Sequence, residues 1–120
     1  MCIEGEELTV GDGAVSWVHH DLPITVFVGE VGQAMSFAGA VLVLDDGAPG
    51  TRVLCGFSHG GEALFRVGPP AGFEFSYLTG HPEVGAAVVC GGAVKIDNWY
   101  DWHFSVDLRT GRLERHCPAC

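Results

Sequence analysis

Residues 98–116 read NWYDWHFSVDLRTGRLERH, and this stretch decides the fold class. Over residues 102–108 an apolar side chain stands at every second position, and polar side chains take the alternate places. A period of two residues is typical of a β-strand with one buried face. A Thr-Gly pair follows at 110–111, and glycine tolerates the positive φ angles of tight turns. We therefore predict that residues 112–116 return antiparallel and complete a C-terminal β-hairpin.

Glycine and proline punctuate the rest of the chain. The 120 residues include 18 glycines and 6 prolines, which separate short pieces rich in valine, phenylalanine and leucine. Such spacing indicates an all-β fold. We predict further strands over residues 7–10, 14–18, 24–28, 35–44, 51–57, 63–67, 73–78 and 84–96. The helix candidates are residues 32–38 and 82–87, and both contain glycine, which weakens a helix.

The apolar pattern also predicts which strands are central. Residues 40–44 and 86–90 are apolar throughout, so both faces of these strands should be covered. Residues 73–78 and 102–108 alternate, so each should have one wet face. We expect a single domain over residues 1–120, all-β or β-rich with at most one or two short helices. About eight strands should form an antiparallel meander, folded into a small two-layer sandwich or open barrel.

The charge of the chain restricts its partners. The formal net charge is −9, and residues 1–60 hold eight acidic side chains against one basic side chain. An acidic surface repels phosphate, so nucleic acid and anionic membranes are excluded as expected partners and a basic protein is favoured. We find no basic, apolar leader and no apolar run near the roughly 20 residues that span a bilayer. Five cysteines without framework spacing fit a reducing compartment, and we expect a cytoplasmic protein.

The sharpest local motif is HCPAC at residues 116–120. In thioredoxin-like sites a CxxC pair opens a helix, and we expect no helix after Cys120, which disfavours a redox role. Zinc is the alternative, with His116, Cys117 and Cys120 as three ligands and Cys2 as a fourth if the two ends meet. A single CxxC is half of the strong zinc signature, so the main prediction is a protein without a cofactor.

Motifs for catalysis are missing from the sequence. It contains no P-loop, dinucleotide fingerprint, G-x-S-x-G elbow, EF-hand loop or H-E-x-x-H pair. Cys55 and Cys90 lie in apolar strands, where we expect them to be inert core residues. The sequence therefore predicts a protein that is not an enzyme.

The remaining feature of the sequence is a group of residues that indicates a protein-binding surface. Trp99 and Tyr100 stand between Asp97 and Asp101, directly before the buried alternation. Aromatic rings are enriched at protein–protein interfaces. The alternative is that one of the two rings caps the open end of the β core. The predicted partner-binding residues are Glu30, Asp45, Asp46, Asp97, Trp99, Tyr100, Asp101 and His103.

These observations predict a non-enzymatic, acidic binding protein. The most economical example is a bacterial immunity or inhibitor protein that neutralises a cognate basic toxin or enzyme by contact, which is an analogy of function. One alternative is a β-barrel, with or without enzymatic activity, that binds a small ligand or metal in a cavity lined by His59, His81 or His103. A second is a structural homo-oligomer, such as a homodimer, in which residues 73–78 or the final strand pair across chains.

Overall fold

A computed structural model describes residues 7–48 and 50–119, and within these residues the chain folds into eleven β-strands. No helix suited to crossing a membrane occurs in this part of the chain. The strands are β1 (Thr9–Gly11), β2 (Ala14–His19), β3 (Leu22–Phe27), β4 (Val31–Ser36), β5 (Val41–Ala48), β6 (Thr51–Phe57), β7 (Ala63–Val67), β8 (Phe73–His81), β9 (Gly85–Ile96), β10 (Trp99–Val106) and β11 (Leu113–Pro118).

The strands form three antiparallel sheets, and each sheet is a meander of consecutive strands. The N-terminal sheet has the order β1-β2-β3, the central sheet β4-β5-β6-β7 and the C-terminal sheet β11-β10-β9-β8. The all-β, antiparallel class is confirmed, and across the described ranges the sheets stay open and do not close into a barrel.

Both helix predictions are wrong. Most of residues 32–38 lies in β4, and residues 82–87 form a turn and the start of β9. The predicted strand over residues 35–44 is two strands, because the chain reverses where the Phe37 amide donates to the Ala40 carbonyl at 2.8 Å. Ladder pairing with β5 outweighs the weak helix propensity of a glycine-containing segment.

The central sheet is covered on both faces, so the sheets stack in three layers where two were predicted. One core cluster joins Leu42, Leu44 and Leu54 to the C-terminal sheet. The other joins Val41, Val43 and Cys55 to Val15, Trp17 and Val26 of the N-terminal sheet. Alternate residues of a strand face opposite sides, and the uninterrupted apolar run of β5 therefore supplies both interfaces.

β9 is the centre of the C-terminal sheet. Val88 and Cys90 face the core shared with the central sheet. Ala87 and Val89 point the other way, outside both core clusters, yet their exposures are only 0% and 2%. Other side chains of the C-terminal sheet must therefore cover this outer face.

The closing hairpin is confirmed. Trp102, Phe104 and Val106 of β10 are buried, and β11 pairs antiparallel with β10. In the turn, the Asp107 carboxylate accepts hydrogen bonds from the amides of Arg109 and Thr110. The bond from Arg109 contributes most to holding the pKa of Asp107 below its ordinary value.

The predicted alternation of residues 73–78 is wrong beyond Phe75, because β8 contains a β-bulge. The ladder between β8 and β9 shifts between Phe75 and Tyr77. Beyond the bulge Leu78 is buried and Tyr77 is 48% exposed, the reverse of the predicted pattern. One inserted residue moves every later side chain to the other face.

Two hairpins turn on residues that adopt positive φ without being glycine. His20 and Asp21 have φ of 52° and 64°, and Asp97 and Asn98 have φ of 49° and 72°. Two consecutive positive φ angles define a type I′ turn, which favours glycine at its second position.

We expect Asp21→Gly to raise the free energy of unfolding by about 0.5–1 kcal/mol, because glycine removes the left-handed strain of the turn. Urea unfolding measures the change. Asp21→Ala is the matched control and should be less stable than the natural protein. If the two variants are equally stable, backbone strain at Asp21 is not the cause.

Candidate functional site

β9 and β10 continue past their neighbours at one end of the C-terminal sheet. β8 begins at Phe73, opposite Gly92, and β11 ends at Pro118, opposite Trp102. Residues 93–101 therefore lie beyond the ladders with β8 and β11, and we call them the projecting hairpin. A two-stranded ribbon of this kind has little apolar surface to pack against.

The ladder within the projecting hairpin is irregular. Between the pairs Trp99–Ile96 and Asp101–Gly91, four residues of β9 lie opposite Tyr100 alone. Bulges re-aim side chains, and they are frequent near functional sites. The glycines that precede the bulge are the signal that the sequence offered for it.

The side chains of the projecting hairpin are largely in solvent. Val94 is 75% exposed, Trp99 41% and Tyr100 49%. The Lys95 ammonium lies 5.4 Å from the centre of the Tyr100 ring. Ile96 is the residue of this hairpin that packs against the core, so capping of the core does not require either aromatic ring.

The structure divides the eight predicted partner-binding residues into three groups. Asp97, Trp99, Tyr100 and Asp101 lie together on the projecting hairpin. His103 lies further along β10. Glu30, Asp45 and Asp46 belong to other elements, the β3–β4 turn and the end of β5.

The Asp45 carboxylate is used inside the protein. Asp45 is only 2% exposed. It accepts hydrogen bonds from the amides of Gly29 at 3.1 Å, Glu30 at 3.0 Å and Gly47 at 2.8 Å, and from Arg66 Nη1 at 3.0 Å. Burial raises the pKa of Asp45, but these four bonds together outweigh burial and hold the pKa at about 2.

Asp46 is also engaged within the chain. Both of its carboxylate oxygens accept hydrogen bonds from Arg52, and Arg52 Nη1 donates to the Ser76 carbonyl at 2.6 Å. Glu30 is exposed. Glu30 is thus the most exposed of these three acidic residues, Asp46 is half-buried and Asp45 is buried.

A second group of polar residues covers the outer face of the C-terminal sheet. His81 ends β8, His103 lies on β10, and His116 and Cys117 lie on β11. His103 and Cys117 are ladder partners, and a bulge in β11 adds His116 beside them. We call these four residues the histidine–cysteine cluster.

The cluster is tight. Cys117 Sγ lies 3.5 Å from His81 Nε2 and 3.7 Å from His103 Nδ1. The centre of the His81 ring is 5.0 Å from the centre of the His103 ring and 5.0 Å from that of His116. Cys117, His81 and His103 are half-buried, so the thiol is held against two imidazoles with limited access to solvent.

Glu83 forms hydrogen bonds with two of these rings. Its amide donates to His81 Nδ1 at 3.1 Å, and its Oε1 lies 2.7 Å from His116 Nε2. The hydrogen bond with His116 is the main cause that lowers the pKa of Glu83. Because His81 Nδ1 accepts a hydrogen bond, a neutral His81 carries its proton on Nε2, which faces Cys117.

The predicted zinc ligands are divided by the structure. Cys2 and Cys120 lie outside the described residues, whereas His116 and Cys117 lie beside His81 and His103. The sequence pointed to His116 and Cys117 as zinc ligands, and to His81 and His103 only as residues that line a cavity in the alternative β-barrel.

The other residues named from the sequence have structural partners. Cys55 and Cys90 are buried, as predicted, and burial raises the pKa of Cys90 to about 12. His59 lies against the N-terminal sheet, where its carbonyl accepts from Trp17 Nε1 and its Nε2 lies 2.7 Å from the Phe37 carbonyl. His59 therefore does not share a cavity with His81 and His103.

Comparisons of the chain with protein-family models, with curated proteins and with solved structures find no match. The projecting hairpin and the histidine–cysteine cluster, and not a family resemblance, are the features on which a function rests.

Proposed function

We propose that the protein is a non-enzymatic binding protein whose projecting hairpin recognises a basic protein domain. One observation carries the proposal: Val94, Trp99 and Tyr100 are exposed on a ribbon that extends past both neighbouring strands. The partner class is a toxin or enzyme that the protein neutralises by contact in the bacterial cytoplasm, as an immunity protein does.

Trp99 and Tyr100 support this role because side chains as exposed as these contribute little to the stability of the fold. Buried Trp and Tyr anchors supply most of the affinity at many interfaces. A protruding hairpin can bring Trp99 and Tyr100 into a concave surface, such as the substrate groove of an enzyme, and block it sterically.

The acidic residues support a basic partner. Asp97 and Asp101 are exposed on the projecting hairpin, and exposed Glu74 lies across Gly91 from Asp101 in the sheet. With a net charge of −9, the protein attracts a cationic domain over a distance of about 10 Å at moderate salt. Such rim charges mainly raise the association rate.

The homo-oligomer alternative receives less support for pairing through residues 73–78, the first of its two proposed edges. Pairing of residues 73–78 with a second copy needs free backbone groups on the edge of β8. The Gln33 side chain accepts a hydrogen bond from the Leu78 amide at 2.7 Å and donates one to the Leu78 carbonyl at 3.0 Å. Arg52 donates to the Ser76 carbonyl, so these backbone groups already have partners within the chain. Light scattering after size exclusion tests this alternative directly.

We expect the double variant Trp99→Ala, Tyr100→Ala to weaken binding to the captured partner by about 100-fold, because both anchors are lost. The partner is first isolated with the tagged natural protein from a lysate of its source organism, and binding is then measured with the purified pair. Tyr77→Ala is the matched control, since Tyr77 is similarly exposed on the same sheet but lies outside the hairpin.

The charges are tested in the same assay. Asp97→Lys with Asp101→Lys should slow association strongly at low salt and much less at high salt. Unchanged binding by the aromatic double variant, with its fold intact by circular dichroism, would remove the basis of the proposal.

A further inference from the structure

Beyond partner binding, we infer that the histidine–cysteine cluster binds a divalent transition-metal ion of the zinc class. His81, His103, His116 and Cys117 would supply the ligands. The inference stands on the placement of these side chains and does not depend on the proposed function.

The two separations between the Cys117 sulfur and a histidine nitrogen match those of a tetrahedral metal site. Zinc–sulfur and zinc–nitrogen bonds of about 2.3 Å and 2.0–2.1 Å place sulfur and nitrogen ligands about 3.6 Å apart at the tetrahedral angle. Cys117 Sγ lies 3.5 Å from His81 Nε2 and 3.7 Å from His103 Nδ1. Donor atoms of His81, His116 and Cys117 all lie within 4.8 Å of one another, so small side-chain rotations suffice to surround one ion.

The sheet provides a firm support for these ligands. They come from three strands, β8, β10 and β11, which flank or follow β9 in the C-terminal sheet. Val89, the ladder partner of His103, is buried, so an apolar residue lies beside the site. Ligands on sheet strands are held more accurately than ligands on loops, and low local polarity strengthens their interaction with a cation.

Glu83 supplies the outer contact that metal-binding histidines usually have. With Nε2 of His116 bonded to the Glu83 carboxylate, Nδ1 of His116 is the nitrogen available for an ion. A carboxylate that accepts from the distal nitrogen of a ligating histidine fixes the ring and raises its basicity. The same residue therefore orients His116 without occupying the site.

Metal binding requires a proton rearrangement at His81. Its Nδ1 accepts from the Glu83 amide, so the proton of the neutral ring is on Nε2. Ligation through Nε2 moves the proton to Nδ1 and opens the Glu83 amide contact, while Cys117 loses its thiol proton. Binding of the ion is thus coupled to proton release and to a local change at residues 81–83.

The donor set selects the kind of ion. A thiolate with imidazoles suits Zn²⁺ and its substitute Co²⁺, whereas Mg²⁺ and Ca²⁺ prefer oxygen ligands. We therefore expect one equivalent of Zn²⁺ to bind the reduced, chelator-treated protein, measured by competition with a chromophoric chelator. Co²⁺ should give a thiolate-to-cobalt charge-transfer band, and Mg²⁺ should not compete.

Variants identify the ligands. Cys117→Ser should abolish the charge-transfer band and weaken Zn²⁺ binding by about 100-fold or more, and His81→Gln and His103→Gln should each weaken it by at least about 10-fold. His20→Gln is the histidine control, since His20 is an exposed turn residue. Cys2→Ser with Cys120→Ser is the cysteine control and should bind as the natural protein does.

A further measurement uses the natural protein and does not rely on a variant that folds. Loading with Zn²⁺ should protect Cys117 from alkylation, as determined by peptide mass spectrometry. Failure of the natural protein to bind Zn²⁺ or Co²⁺ stoichiometrically would overturn the inference. So would full binding by Cys117→Ser, or loss of binding in the Cys2, Cys120 double variant, which would place the ion at the chain ends.

Discussion

Replacing Asp45 with alanine should lower the free energy of unfolding by about 3 kcal/mol or more, because the change leaves one cation and several amides without their acceptor. The carboxylate joins the β3–β4 turn to β5 through the amides of Gly29, Glu30 and Gly47. An added Cβ at Gly29 would lie 2.9 Å from the Gly47 Cα. Backbone packs closely on backbone at this point, which fixes the positions of the amides that the carboxylate accepts from.

The same carboxylate should make stability depend on pH. The pKa of Asp45 is about 2 in the folded protein, against an ordinary value of 3.8. The difference corresponds to about 2 kcal/mol of stability that is fully present above pH 3.8 and is lost as the pH falls through 2. Urea unfolding at pH values between 7 and 2 measures this dependence.

Asp45→Asn separates charge from shape, and it should flatten the acid limb of the stability curve as well as lower its plateau. Asp46→Asn is the matched control, because the neighbouring carboxylate is half-buried and bonds to Arg52. We expect this control to cost no more than about 1 kcal/mol. An unchanged acid limb in Asp45→Asn would show that other carboxylates cause the acid sensitivity.

The sequence predicted the strands best where the local pattern is sufficient. The predicted bounds of residues 51–57 and 63–67 agree with β6 and β7, and the alternating burial of residues 102–108 was also correct. A period of two residues depends only on the strand itself. The third layer was missed, because nothing in a strand's own sequence says which sheet will cover its second face.

Long-range contacts explain the errors around Asp45. The predicted strand over residues 35–44 ended before the Asp-Asp-Gly stretch, but β5 runs through it to Ala48. The carboxylate finds its partners at Gly29 and Glu30, sixteen and fifteen residues earlier. A turn and an internal anchor use the same residue types, and only the position of the distant segment distinguishes them.

The two candidate functional surfaces differ in how far apart their residues lie in the sequence. The projecting hairpin was predictable from the sequence because its acidic and aromatic residues are neighbours in the chain. The histidine–cysteine cluster was not, since His81 and Cys117 are 36 positions apart. β8 and β11 are the two edge strands of the C-terminal sheet, and nothing local in the sequence predicts that His81 at the end of one approaches Cys117 on the other.

Gly56→Ala should destabilise the protein by about 2–3 kcal/mol, because the new methyl group has no room. A Cβ at Gly56 would lie 2.3 Å from two ring atoms of Phe65, its ladder partner on β7. The ring cannot move away freely, since a Cβ at Gly111 would lie 2.5 Å from its other edge. Phe65 is thus enclosed between the central sheet and the turn of the closing hairpin.

A double-mutant cycle with Phe65→Leu tests this explanation by urea unfolding. In the leucine background the additional cost of Gly56→Ala should fall below about 1 kcal/mol, because the smaller side chain leaves space for the methyl group. Gly68→Ala, where a Cβ meets nothing within 4 Å, should be nearly neutral. If Gly56→Ala costs the same in both backgrounds, the ring is not the obstacle. A coupling of about 1 kcal/mol or more would identify the Phe65 ring as the obstacle to the new methyl group.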